Sequence, residues 1–363
     1  MTYTAAVIGT GPDPENPSSE GFAMGYAHGR ALEADERVEL VACVDIVPEN
    51  AEDFAAEFDI ESGNVFEDYE AMLAAVEPDI ATIAVPPALH ASLSLGCIRS
   101  GAVEAVHCEK PMALEWGDAR LVAQEANRRD VQLTFNHQRR FGEVFRRAKE
   151  LLDDGEIGRL ERVEFAAGNI YDYGTHSIDL CNFYNDEAAP EWVIGQVDYR
   201  EENVAFGAHN ENQAFAMWEY ENGVYGVADT GGETGGGMVN AHNRLVGTEG
   251  EIEVGPGFAT GDHEGPFLRI RRAGDGDWET IDTGEEHLHG PDFIERAIVH
   301  IVDALEDGTE PELSARRALN ATEIIFGIWE SSRRRGRVEF PLDIEDNPLE
   351  AMVESGALTP ASE

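Results

Sequence analysis

The sequence predicts an α/β chain in two parts: an N-terminal Rossmann domain with a doubly wound parallel sheet, and a C-terminal open, mainly antiparallel sheet domain. Three observations predict it. Apolar runs alternate with amphipathic stretches up to Phe135. Beyond that point the rhythm changes to short strands separated by turn residues. The length, 363 residues, suits about two domains. The division is expected at residues 1–134 and 135–363.

The apolar runs Ala5–Ile8, Val38–Val44, Ile80–Val85, Val103–His107 and Val131–Phe135 read as strands buried on both faces. Helical patterns at Met24–Ala34, Asn50–Phe58, Ala88–Ser100 and Trp116–Arg129 lie between them. One window, IATIAVPPALHASLSLGCI at residues 80–98, has no charge, but Pro86-Pro87 and His90 split it into strand, turn and helix. It is not a membrane span. After Phe135 a helix, Phe141–Leu152, ends at Gly155, and a short helix follows Asp172. Strands are then expected at Glu191–Tyr199, Ala214–Tyr220, Val224–Asp229, Asn243–Val246, Glu251–Val254 and Phe267–Arg272. Asn222-Gly223 is a hairpin signal, and the short connections leave no room for helical crossovers. Two long helices, near Pro291–Glu306 and Ala315–Arg335, close the chain.

Acidic residues number 72 against 26 basic ones, a formal net charge of −46. The acid is spread along the whole length, and the 42% hydrophobic content still allows packed cores. Such self-repulsion is relieved by dense salt, so the composition points to a halophilic organism. It argues against nucleic acid and anionic membrane as partners, because no basic footprint exists. Four cysteines without a CxxC pair, and an N-terminus lacking the pattern of a signal peptide, point to a reducing, cytoplasmic setting.

The strand AAVIGTG ends in Gly9-Thr10-Gly11, the opening of a dinucleotide fingerprint. PDPENPSSEG then intervenes before a helix opens near Gly25. The chemistry needs a tight turn and bare backbone N–H groups at a helix N-terminus facing a pyrophosphate, and an extended loop can still provide them. The second strand ends in Asp45, a carboxylate able to accept from adenosine ribose hydroxyls. That charge repels a 2′-phosphate, and Ile46-Val47-Pro48 supplies no arginine, so NAD is favoured over NADP. VHCEKPM, residues 106–112, follows a further strand. Of the 26 basic residues only Lys110 and Lys149 are lysines, so an ammonium at Lys110 answers a specific need.

With these motifs in place the chain resembles the Gfo/Idh/MocA oxidoreductases, the family of glucose–fructose oxidoreductase and inositol dehydrogenase. VIGTG with GYAHGRAL, VPPALHASLSLGCIRSGAVEAVHCEKPMAL, QRRF, GEIGRL, DYGTHSIDL and LVGTEGEIEV fall in the family's order; the split glycine motif departs from it. The resemblance implies a nicotinamide-dependent oxidoreductase acting on a sugar, sugar acid or inositol-like polyol. It maps the catalytic lysine to Lys110, where a bulky, permanently charged guanidinium would not serve. It maps the acid–base pair to Asp172 and His176, four residues apart, with His176 as general base. Pro86, His90 and Glu109 are expected to line the cofactor site with Gly9, Thr10, Gly11, Gly25 and Asp45, and Lys110-Pro111 to be cis. A homodimer or homotetramer, formed through the second domain's sheet, is also implied.

Two other readings share the fold: an NAD-dependent glycosidase, and a nucleotide-binding sensor without catalysis. The intact set Lys110, Asp172 and His176 argues against the sensor. No metal is expected: EEHLHG, residues 285–290, gathers two glutamates and two histidines without a fixed ligand geometry. SRRRGR, residues 331–337 in part, falls where a helix C-terminus favours cations. The glycine-rich TGGETGGGM, residues 230–238, reads as a loop beside a site.

Overall fold

The computed structural model describes residues 2–12, 14, 24–231, 237–258 and 265–360. The chain divides into two compact units, Met1–Gln138 with Pro291–Leu319, and Arg139–Gly290 with Asn320–Glu363. The glycine-rich residues 232–236 lie outside the described residues.

The first unit is built on six strands, β1 (Tyr3–Ile8), β2 (Val38–Val44), β3 (Val65–Phe66), β4 (Ile80–Ile83), β5 (Ala105–Cys108) and β6 (Gln132–Phe135). They run in the order β3-β2-β1-β4-β5-β6, and every pair is parallel. Every residue of β4 and β5 is buried, as continuous apolar strands in a sheet covered on both faces must be. Helices α1 (Met24–Glu33), α2 (Pro48–Glu57), α3 (Tyr69–Val76), α4 (His90–Ser100) and α5 (Trp116–Arg129) make the crossovers. Strand order reverses between β1 and β4, so the carboxyl ends of these strands mark the switch point where such sheets take ligands.

The second unit begins with α6 (Glu143–Asp153), β7 (Leu160–Ala167) and α7 (Gly174–Tyr184). Its large sheet adds β8 (Pro190–Asp198), β11 (Gln213–Tyr220), β12 (Tyr225–Thr230), β13 (Ala241–Gly247), β14 (Gly250–Pro256), β15 (Leu268–Arg272), β16 (Glu279–Thr280) and β17 (Val338–Glu339). The short β9 (Val204–Ala205) and β10 (Ala208–His209) pair with each other. The order is β16-β15-β14-β13-β7-β12-β11-β8-β17, antiparallel except for the central β7–β12 pair. One face buries Val163, Phe165, Val193, Ala216, Trp218 and Leu245. On the other, Glu164, Arg244, Glu253 and Arg269 stand directly opposite one another across β7, β13, β14 and β15. Their alternating charges form cross-strand ion pairs, each worth roughly 0.2–1 kcal/mol.

β7 is missing from the strands read in the sequence. LERVEFAA looks like a charged surface stretch, yet Glu164 is buried because Arg162 and Arg244 close on it from neighbouring positions. The packing also differs from a single break after residue 134. Helix α8 (Asp292–Asp307) belongs to the first unit, where it packs on α1. Arg37 donates to Asp303 and Glu306 on it, at 2.7 and 2.8 Å, and Gln132 donates to the Ile301 carbonyl at 3.0 Å. Helix α9 (Ala315–Arg334) follows, and its later turns pack in the second unit, which ends with α10 (Pro348–Glu354). Among the described residues no helix is long and apolar enough to cross a membrane.

Candidate active site

In the first unit the expected cofactor residues gather at the carboxyl ends of β1, β2, β4 and β5. Gly9 continues β1, its N–H donating to the Val44 carbonyl at 2.8 Å. Asp45, at the tip of β2, is buried and organises the turn. Its Oδ2 accepts from Thr10 Oγ1 at 3.1 Å and from the Gly11 N–H at 2.9 Å, and its Oδ1 accepts from the Val47 N–H at 2.9 Å. A carboxylate has about four acceptor sites, so one remains for a ribose hydroxyl. Gly25 answers the question of the split motif. A Cβ there would stand 2.5 Å from the Thr10 carbonyl oxygen and 2.6 Å from that of Gly9. The first turn of α1 therefore rests directly on the Gly9-Thr10 turn, although the two are far apart in sequence. This cradle of bare backbone beside a helix N-terminus fits a dinucleotide pyrophosphate.

Pro86 is exposed at the end of β4, with Val85 partly exposed beside it. His90 is buried and serves as a strut: Nδ1 lies 2.6 Å from the Pro111 carbonyl oxygen and Nε2 2.8 Å from that of Val85. Burial lowers its pKa against the pull of those two oxygens. It thus fastens the turn after β5 to the turn after β4.

Lys110 itself is partly exposed, and the Lys110–Pro111 peptide is cis. Behind it lies a closed polar cluster. Glu109 Oε1 faces His28 Nε2 at 3.0 Å and accepts from Asn136 Nδ2 at 2.6 Å, while Oε2 accepts from the Lys110 N–H at 3.2 Å. Burial alone would push the Glu109 carboxyl up. The hydrogen bond and charge of His28, the charge of Lys110 and the Asn136 amide outweigh it and hold the group down at about 2. Next to His28, ring centres 5.3 Å apart, burial pushes the His107 imidazole down to about 3, so it stays neutral with Nδ1 2.9 Å from Thr134 Oγ1.

In the second unit Asp172 and His176 stand at the start of α7. The helix begins at Gly174, so Asp172 lies in the turn ahead of it rather than on a helical turn, and His176 is buried in the first turn. Gly174 is required there: a Cβ would meet the Asn169 carbonyl oxygen at 2.4 Å. Three polar side chains hold the turn. Asn169 Oδ1 accepts from the Tyr173 N–H at 3.0 Å, Asn210 Oδ1 from the Asp172 N–H at 3.2 Å, and Glu211 Oε1 from the Ile170 N–H at 2.6 Å. Glu211 Oε2 also accepts from Trp329 Nε1 at 3.1 Å, and that indole packs on Tyr171. Burial pushes the Glu211 carboxyl up to about 7, past the opposing effect of these donors. Asp179, one turn beyond His176, neutralises Arg140.

Several of these groups were not singled out in the sequence. His28, Asn136, Asn210 and Glu211 are ordinary polar residues until the fold brings together positions tens of residues apart. The histidines of EEHLHG take another part: His289 joins Arg139, as described below. Among the described residues no three metal-binding side chains converge.

Comparison with known proteins bears on the family and the fold. Residues 20–137 match the oxidoreductase family with an NAD-binding Rossmann fold, and residues 164–253 match the GFO/IDH/MocA C-terminal domain. The chain is 26% identical to the NADP-linked D-xylose 1-dehydrogenase of Haloarcula marismortui, over 85% of this chain and 88% of that one. It is 30% identical to an inositol 2-dehydrogenase of Rhizobium meliloti over 44% and 51% of the respective chains. Its fold is similar to that of an oxidoreductase from Agrobacterium radiobacter solved with NAD+, L-tartaric acid and magnesium. The TM-score is 0.74 at 18% identity, covering 97% of this chain and 100% of that one. The two family models cover both parts of the chain in order, and the sheet topology agrees: the chain belongs to the Gfo/Idh/MocA family of NAD(P)-binding oxidoreductases.

Proposed function

We propose that the chain is an NAD-dependent dehydrogenase that oxidises a secondary hydroxyl or hemiacetal carbon of a sugar, sugar acid or polyol. The observation that carries this reading is Lys110, one of two lysines in 363 residues, presented at the switch-point end of β5 by the closed cluster around Glu109. Bound NAD would supply the nicotinamide ring that accepts the hydride. Lys110 holds the substrate oxygen by its ammonium, His176 takes the hydroxyl proton, and Asp172 orients the imidazole or a neighbouring hydroxyl. Asp45 supports NAD over NADP, since a carboxylate at the tip of β2 would repel a 2′-phosphate and Ile46, 84% exposed, follows it where a cation would be wanted. The xylose dehydrogenase relative uses NADP, so both cofactors belong in the test.

The assay would run in molar KCl, because a net charge of −46 is expected to need salt for folding. Reduced-nicotinamide absorbance is followed with NAD or NADP against aldoses, inositols, sugar acids and polyols. Turnover should appear with NAD and fall by about 100-fold or more in Lys110→Ala, with NAD still bound. A panel without turnover, or a Lys110→Ala variant as active as the parent, overturns the reading.

The second unit's sheet supports a homo-oligomer. Ile194, Phe215 and Met217 stand exposed on β8 and β11 and line a groove of about 760 Å³, with Tyr225 of β12 exposed as well. A second copy of the chain is the proposed occupant, and Met217→Asp should shift the mass measured by light scattering to that of a monomer. An unchanged mass in the variant removes this face as the interface.

A further inference from the structure

QRRF places two arginines side by side, and the fold treats them in opposite ways. Arg140 is fully buried and fully neutralised: Nε and Nη2 donate to the two oxygens of Asp179 at 2.6 and 2.7 Å, and Nη1 donates to Glu187 at 2.5 Å. Arg139, 5% exposed, meets no carboxylate at ion-pair distance among the described residues. Its Nη1 donates to His242 Nε2 at 2.6 Å and its Nη2 lies 3.4 Å from His289 Nδ1. Its guanidinium carbon stands 4.1 Å from the centre of the Tyr173 ring. Burial lowers its pKa, against the pull of Tyr173 and, from farther off, of Asp172.

Neither imidazole replaces an anion. His242 Nδ1 lies 2.6 Å from Asn243 Oδ1, and the Asn243 amide nitrogen donates to the Ser177 carbonyl, which leaves Oδ1 as an acceptor. His242 therefore carries its proton on Nδ1 and offers a lone pair to Arg139, as a neutral ring. His289 lies on the outer side of the cluster, with Nε2 3.3 Å from the Tyr173 hydroxyl and Nδ1 3.4 Å from Arg139 Nη2. In a chain with 72 acidic residues, a buried cation whose hydrogen-bond partners among the described residues are imidazoles, with Asp172 acting on it from farther off, is suited to an arriving anion. The place also suits a substrate contact: Tyr173 is the residue after Asp172, and His289 and Tyr173 are the accessible members of the cluster.

We propose that Arg139, framed by Tyr173, His242 and His289, seats a carboxylate of the substrate, so that this chain acts on an acid such as an aldonate rather than on a neutral sugar or polyol. The link to turnover rests on the dehydrogenase reading; the binding of the anion does not.

The test uses the full chain with NAD at constant molar chloride, since chloride is itself an anion. Binding of D-gluconate, of sorbitol as its neutral counterpart and of inorganic phosphate is measured by calorimetry for the parent, Arg139→Met, Arg139→Lys and His289→Ala. Gluconate should bind the parent and lose roughly 10-fold to 100-fold in Arg139→Met, with an intermediate loss in Arg139→Lys and a smaller one in His289→Ala. Sorbitol binding should change by less than about threefold across the set. Equal losses for gluconate and sorbitol, or tighter binding of sorbitol by the parent, overturn the proposal. Phosphate bound through Arg139 without gluconate overturns the carboxylate assignment. If Arg139→Met does not fold, Arg139→Lys and His289→Ala decide alone. Charge-dependent gluconate binding without NAD reduction by any acid would leave the anion site standing and remove the dehydrogenase reading.

Discussion

Two buried polar clusters, one in each unit, show two uses of the same kind of side chain. In the first unit the charge of Glu109 is met by His28, Asn136 and the Lys110 backbone, all supplied by the fold itself. In the second unit Arg139 meets His242 and His289, and no carboxylate at hydrogen-bond distance among the described residues. The first cluster satisfies the Glu109 carboxylate from within the fold and so holds the EKP turn in place. The open one is complete when something else arrives. The difference teaches that burial of a charge is by itself ambiguous; the sign and charge of its partners tell structure from recognition.

The largest effect that would test this contrast lies in the closed cluster. Glu109→Ala strips the acceptor from three donors and should cost on the order of 3 kcal/mol or more in chemical denaturation. The cost should depend on pH in a definite way. The folded carboxyl sits at about 2, below its ordinary 4.5, so its stabilisation is present above 4.5 and disappears as pH falls towards 2. Parent and variant should therefore converge in that acid window. A constant difference down to pH 2 would break the account of the cluster.

Glu211 should show a comparable magnitude with the opposite sign. Its folded pKa is raised to about 7, so its contribution is complete below 4.5 and is lost as pH rises through 7. Glu211→Gln cannot ionise, and the stability of the variant relative to the parent should rise by up to about 3 kcal/mol between pH 4.5 and pH 8. A flat difference would mean that Glu211 is ionised in its pocket throughout.

The smallest effect is expected at Arg139. Exchanging an uncompensated buried cation for a thioether of similar length should leave stability within about 1 kcal/mol of the parent, or raise it, even though the side chain is enclosed. A loss as large as that of Glu109→Ala would show Arg139 to be part of a closed network too, and the contrast between the two clusters would be gone.

Much of the first unit was legible because its signals are local. A short uncharged run such as IATI, bounded by turn residues, reads as a strand with both faces covered, and the order of EKP before DxGxHxxD locates both motifs along the chain. What stayed hidden depends on distance. β7 reads as surface until Arg244, 80 residues on, explains Glu164. The third glycine of the cofactor turn looks late in the sequence because the contact between Gly25 and the Gly9-Thr10 turn is made in space. QRRF was recognised as a motif, but nothing local tells Arg139 from Arg140. Their separate fates rest on Asp179 and Glu187 in one case and on His242 and His289 in the other.

The scarcity of lysine has a practical side. Lys149 is held by Asp153 and by Asp186 on the surface of the second unit, in a role that arginine fills almost everywhere else in this chain. Lys149→Arg would leave Lys110 as the sole lysine ammonium. Amine-directed reagents, acylating or carbonyl-bearing, could then reach one lysine address in the whole protein, beside the cofactor turn. A fluorophore or an affinity tether could be installed there by ordinary chemistry, and protection of that single amine would report what occupies the site.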